Sequence, residues 1–218
     1  MKQILLLITL LASTATFAQG DKYKSAMQPR VTALDTTRDF TALNDLAAGF
    51  ERIADAEKTQ WLPYYYAALA RINAGYTLTQ GKTPATTTQL DPIADQSEAL
   101  LNKAEALSKD NSEIFVVRKM IATLRMMGNP MARYMTYGPQ AAAALATAKQ
   151  LNPENPRVYY LEGQDKFFTP AQFGGSKEEA VVLWNEALKK FDSFKPADPL
   201  APTWGRRNTE YFLTLAAK

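Results

Sequence analysis

Apolar residues recur along this chain at helical rather than extended spacing, as Leu46, Phe50 and Ile53 do, and no stretch sustains the alternation of a half-buried strand. The punctuation between the apolar runs agrees. Asp91-Pro92 places an N-cap residue before a proline at the first helical position, Ser176 followed by Glu179 reads as a capping box, and Asn152-Pro153 with Asn155-Pro156 stops one helix and launches another. The pattern predicts helices over about 21–35, with a break or kink near Pro29, then 38–58, 61–77, 93–108, 111–127, 138–151, 156–168, 177–191 and 203–216. The expected fold class is all-α.

One turn phrase repeats. AKQLNPENPRVYYLEG, residues 148–163, lies over AEALSKDNSEIFVVRK, residues 104–119, at a shift of 44, with Ala104 on Ala148, Leu107 on Leu151, Asn111 on Asn155 and Phe115 on Tyr159. An earlier copy is FERIADAEKTQWLPYYYAALA at 50–70, and a later one runs from ALKKF at 187–191 into PTWGRRNTEYF at 202–212. Such self-similarity marks stacked units that cannot bury their apolar faces singly. Here the chain resembles the tetratricopeptide repeat (TPR) family. Tyr159 takes the early aromatic position of that pattern, Gly163 the next small one, and Ala180, Trp184 and Ala187 the small-aromatic-small series of the second helix; Phe115 with Ala141, Leu145 and Ala148, and Tyr64 and Ala68 with Ser97, Leu101 and Ala104, repeat it. Lys119 departs from the pattern where a small residue is usual, and every inter-helix turn is longer than the family norm. The resemblance implies a short right-handed α-solenoid of helix-turn-helix units with long inter-helix turns, and it is similar to exported TPR-like proteins of Gram-negative bacteria that have no assigned activity.

The first residues, MKQILLLITLLASTATFAQG, read as a secretory signal peptide over 1–18, with Lys2, an apolar run from Ile4 to Ala12, and Thr16 and Ala18 before a cleavage point. Residues 19–218 are then expected to form a single helical domain, periplasmic or secreted, with no membrane insertion after cleavage. Charge is nearly balanced, 25 basic against 22 acidic residues, which gives a nucleic-acid role no support. Zero histidine and zero cysteine restrict the chemistry further. His-based triads, thiol nucleophiles, imidazole or thiolate zinc sites and haem ligation are all excluded on this reading, and no catalytic residue, cofactor or metal is expected.

In the TPR family the first helix of each unit lines a concave face that binds peptides. Its inward positions fall on Tyr65 and Leu69, Val116 and Met120, and Tyr160, Gln164 and Phe167, an apolar and aromatic set suited to a protein or peptide partner. That is the principal functional expectation: a non-enzymatic exported scaffold or adaptor. The alternative is a small molecule or glycan held in a pocket formed by two inserted turns, 128–138 and 168–175, with Arg133 as an anion contact beside Tyr134. Both turns are too apolar to hang in water and are expected to pack against the edge of the solenoid. A phosphate-loop reading of Gly75 with Gln80-Gly81-Lys82-Thr83 fails on spacing and context, and the carboxylate pairs Asp55/Glu57 and Glu178/Glu179 read as solvated helix faces.

Overall fold

The computed structural model describes residues 20–196 and 198–218, so the expected signal peptide lies outside the described residues. Among the described residues helices alone make up the regular structure: α1 over 20–36, then α2 (Phe40–Glu57), α3 (Trp61–Thr79), α4 (Thr87–Leu107), α5 (Ser112–Met127), α6 (Pro130–Leu151), α7 (Pro156–Phe168), α8 (Lys177–Ser193) and α9 (Arg206–Ala216), with a short 3₁₀ turn at Ala171–Phe173. Side-chain caps set the boundaries. Asn155 accepts a bond from the Arg157 amide at 3.0 Å and precedes Pro156 at the start of α7, and Asn129 with Pro130 does the same for α6, accepting from the Ala132 amide. Ser176 caps α8 by accepting from the Glu179 amide at 3.1 Å. Such caps each stabilise a helix by about 1 kcal/mol.

Three expectations are corrected. Pro29 neither breaks nor ends α1, which is continuous across it. The start of α4 lies ahead of Asp91-Pro92, because Thr86 and Gln89 close a reciprocal capping box and leave Pro92 inside the helix. Most of the segment 128–138 is the first two turns of α6, so it projects rather than packing down, and Met131 and Met135 stand 94% and 80% exposed.

Neighbouring helices pair in order, α2 with α3, α3 with α4, α5 with α6 and α7 with α8, over one continuous apolar core. Gly163 shows how closely α7 and α8 approach. A Cβ there would sit 2.4 Å from Nε1 of Trp184, which is fully buried and donates to the Tyr160 carbonyl at 3.1 Å.

The face on which a peptide groove was expected is filled by the protein's own C-terminal segment. Tyr65, Leu69, Val116, Met120 and Tyr160 are buried, and Gln164 and Phe167 are half-buried. Trp204 donates from Nε1 to the Tyr65 hydroxyl at 2.8 Å, Tyr66 donates to the Leu200 carbonyl at 2.7 Å, and Phe212 stacks on Trp184 at 5.4 Å while also packing on Tyr160. Beneath Trp204 lies a polar knot that composition alone did not announce. Arg157, 0% exposed, donates to Glu113 from Nε at 2.8 Å and Nη2 at 2.6 Å, and Asn155 and Tyr65 donate to the same carboxylate. Burial opposes the Arg157 charge, and the adjoining carboxylate outweighs burial, holding the guanidinium above its usual pKa. These residues tie α3, α5 and α7 to the C-terminal segment instead of facing a peptide.

Candidate functional site

Among consecutive helices from α2 to α9, α6 and α7 share the least contact. Their divergence opens a cleft of about 740 Å³, within the size range of small-molecule sites. One wall is α6, with Tyr134, Ala142, Leu145 and Ala146; the other is α8, with Val182 and Leu183; the floor is α7, with Glu162 and Asp165; and Thr169, Phe173 and Gly174 form the rim.

The rim is shaped by a tightly closed turn. Ser176 donates its amide to the Lys166 carbonyl at 2.9 Å and Gly175 donates to the Pro170 carbonyl at 3.2 Å. Gly174 has φ of 90°, a left-handed conformation that disfavours side chains, and a Cβ on Gly175 would fall 1.7 Å from the Thr169 carbonyl oxygen. The turn therefore holds Phe173 at the mouth, where its ring lies 6.5 Å from that of Tyr134 across the gap. Phe173, Tyr134 and Val182 are 64%, 48% and 68% exposed, an apolar lining open to water of the kind that marks ligand sites.

The charges of the cleft other than Glu178 are paired. Lys149 on α6 donates to both Glu162 oxygens at 3.0 and 2.9 Å, and Lys119, nearly buried in α5, reaches Asp165 at 2.7 Å. The unexpected lysine of the repeat pattern thus supports the cleft floor from behind. Lys166 pairs with Glu179 at 2.5 Å and donates to the Gly174 carbonyl. Hydrogen bonds from its own amide and from Ser176 hold Glu178 below the usual carboxylate range.

Of the two residues expected in a pocket here, Tyr134 lines the cleft and Arg133 does not. The Arg133 guanidinium is turned onto Asp91, Nη1 to Oδ1 at 2.5 Å and Nη2 to Oδ2 at 2.8 Å, and also donates to the Arg125 carbonyl, so it is no anion contact. Glu162, Asp165, Lys166, Val182 and Leu183 were not anticipated. A smaller cleft of about 360 Å³ between α5 and α6 carries Arg118 and Arg125, both already engaged by Glu98 and by Glu105 or Asp95. Among the described residues no cluster of three or more acidic, His or Cys side chains could hold a metal ion, and no helix is long and apolar enough to cross a membrane.

No protein-family model and no curated protein matches the chain. A solved structure does: the HusA haemophore from Porphyromonas gingivalis, at 35% identity over 89% of this chain and 92% of that one, with a TM-score of 0.78. The chain belongs to the HusA family. That membership overturns the expectation of a protein or peptide partner, since this relative is a haemophore, and it favours the alternative of a small molecule held near the 128–138 and 168–175 segments. The contacts of Trp204 with Tyr65 and of Phe212 with Tyr160 and Trp184, where a peptide groove was expected, are the physical counterpart of that correction.

Proposed function

We propose that the protein is a non-enzymatic haem-capturing protein that takes the macrocycle edgewise between α6 and α8. The observation that carries this is the cleft itself, open, apolar-walled and ringed by exposed Tyr134, Phe173 and Val182, in a relative of a haemophore. A flat porphyrin offers two apolar faces, and the two walls present aromatic, alanine, leucine and valine side chains to them.

The absence of histidine and cysteine was read above as excluding haem ligation. That exclusion is corrected: it removes imidazole and thiolate as axial ligands, while tyrosine and methionine are haem ligands in their own right and the macrocycle needs none to be bound by its faces. Tyr134 is the residue of those types that lines the cleft. Affinity then rests on apolar contact, worth about 25 cal/mol per Å² removed from water before the costs of association.

Two further readings belong with this one. The signal-like start of the sequence and kinship with a haemophore both support export. The ordered pairs α3/α4, α5/α6 and α7/α8, together with the repeated aromatic and small positions, support a TPR-like solenoid whose inter-unit gap has become the binding site.

Titration of ferric haem into the purified protein, followed in the Soret band, tests the proposal. Wild type is expected to saturate, and Phe173→Ala and Val182→Asp each to weaken binding by about tenfold or more, as loss of an anchor in a ligand site does. Saturation unchanged in both variants, or no binding by wild type, would refute it.

A further inference from the structure

The walls of the cleft are apolar, but its floor and one rim are acidic. Glu162 and Asp165 come from α7, and Glu178 and Glu179 from the first turn of α8, against one lining lysine, Lys166. None of the nearby lysines is free for a ligand. Lys119 is 3% exposed and faces Asp165 from inside the core, Lys149 is shared between both oxygens of Glu162, and Lys166 is held by Glu179 and the Gly174 carbonyl.

Resting on the haem reading above, we infer that this cleft selects porphyrins whose carboxylates lie on one edge only, and that it takes them with the apolar edge against the floor and the carboxylate edge outward in water. Haem has that asymmetry: its vinyl groups lie on one side and its two propionates on the other. Inserted propionate-first, it would bring carboxylates against Glu162 and Asp165, whose lysine partners are already committed to them, so the propionates would give up hydration without gaining a free cation and would face carboxylate oxygens instead. Inserted apolar-first, it meets Leu145, Leu183 and the aliphatic stems of the paired side chains, and the propionates keep their hydration. A porphyrin with carboxylates on both sides has no such orientation. Whichever edge enters, an anion reaches the acidic floor.

Iron(III) coproporphyrin, which carries four carboxylates spread over opposite edges, is the probe for this selection. In parallel titrations at low salt, wild type is expected to bind ferric haem at least about tenfold more tightly than iron(III) coproporphyrin. The variant Glu162→Gln removes one floor charge and releases Lys149, so the ratio of the two affinities should narrow by threefold or more. Equal affinities in wild type, or a ratio unmoved by Glu162→Gln in a folded variant, would overturn the inference while leaving haem capture standing. Failure of wild type to bind haem at all would instead overturn the functional reading beneath it. Should Glu162→Gln not fold, the wild-type ratio at low and high salt decides: repulsion predicts that it shrinks with salt, and a ratio indifferent to salt overturns the inference.

Discussion

Replacing Glu113 with alanine should destabilise the fold more than any change at the cleft. Glu113 sits under the C-terminal segment and accepts from Arg157 Nε and Nη2, from Asn155 Nδ2 at 2.8 Å and from the Tyr65 hydroxyl at 3.2 Å. Its removal leaves a fully buried guanidinium with the Trp204 carbonyl at 3.3 Å as its remaining hydrogen-bond acceptor. Removing one partner of a buried pair costs about 3–5 kcal/mol, a large share of the roughly 5–15 kcal/mol that holds a typical domain together. At about 2–4 °C per kcal/mol for a chain of this size, the melting temperature should fall by roughly 6–20 °C. Urea denaturation followed by far-UV circular dichroism measures the free energy directly. The double variant Glu113→Leu with Arg157→Met is expected to recover much of the loss, because an absent ion pair is less costly than a broken one. A loss below about 1 kcal/mol for Glu113→Ala would refute the reasoning, since it would mean that Arg157 reaches water without disturbing Trp204.

Other outcomes follow from single sites. Gly163→Ala forces a Cβ to within 2.4 Å of Trp184 Nε1 and should cost about 1–3 kcal/mol in the same urea assay. Phe173→Ala, by contrast, removes a ring that is 64% exposed and should change stability by less than about 0.5 kcal/mol, so that its effect on haem binding is not a folding effect. The Arg133 hydrogen bond lowers the Asp91 pKa from its ordinary 3.8, so this contact stabilises the folded state above the unfolded value and is lost as pH falls through the lowered one. Arg133→Gln should therefore reduce the loss of stability between neutral pH and pH 3, read as the difference in urea midpoints.

Helix identity and several boundaries were legible because the chain states them locally. Asn155-Pro156 and Ser176 are caps in the sequence and caps in the fold, and α7 spans the residues its pattern predicted. Asn129-Pro130 carries the same signal as Asn155-Pro156, but residues 128–138 were read as an inserted turn, and α6 instead starts at Pro130 and runs through Pro139. Thr86 with Gln89 was likewise overshadowed by Asp91-Pro92. Burial of the expected groove was not legible, because it depends on a segment more than a hundred residues from Tyr65 folding back to place Trp204 upon it. The cleft was legible by half. Tyr134 was named as a pocket residue and 168–175 stood out as an apolar turn, whereas Glu162, Lys166 and Val182 look like ordinary outward positions of amphipathic helices and become a site only because α6 diverges from α7.

The most direct test of haem capture in this cleft is NMR of the isotopically labelled protein with and without ferric haem, whose unpaired electrons broaden the signals of nearby amides. Broadening is expected at Leu145, Lys166, Phe173 and Val182, with Phe50, Leu90 and the Arg118 groove spared. Broadening centred on the Arg118 groove or on α2 to α4, or none at saturating haem, would contradict it.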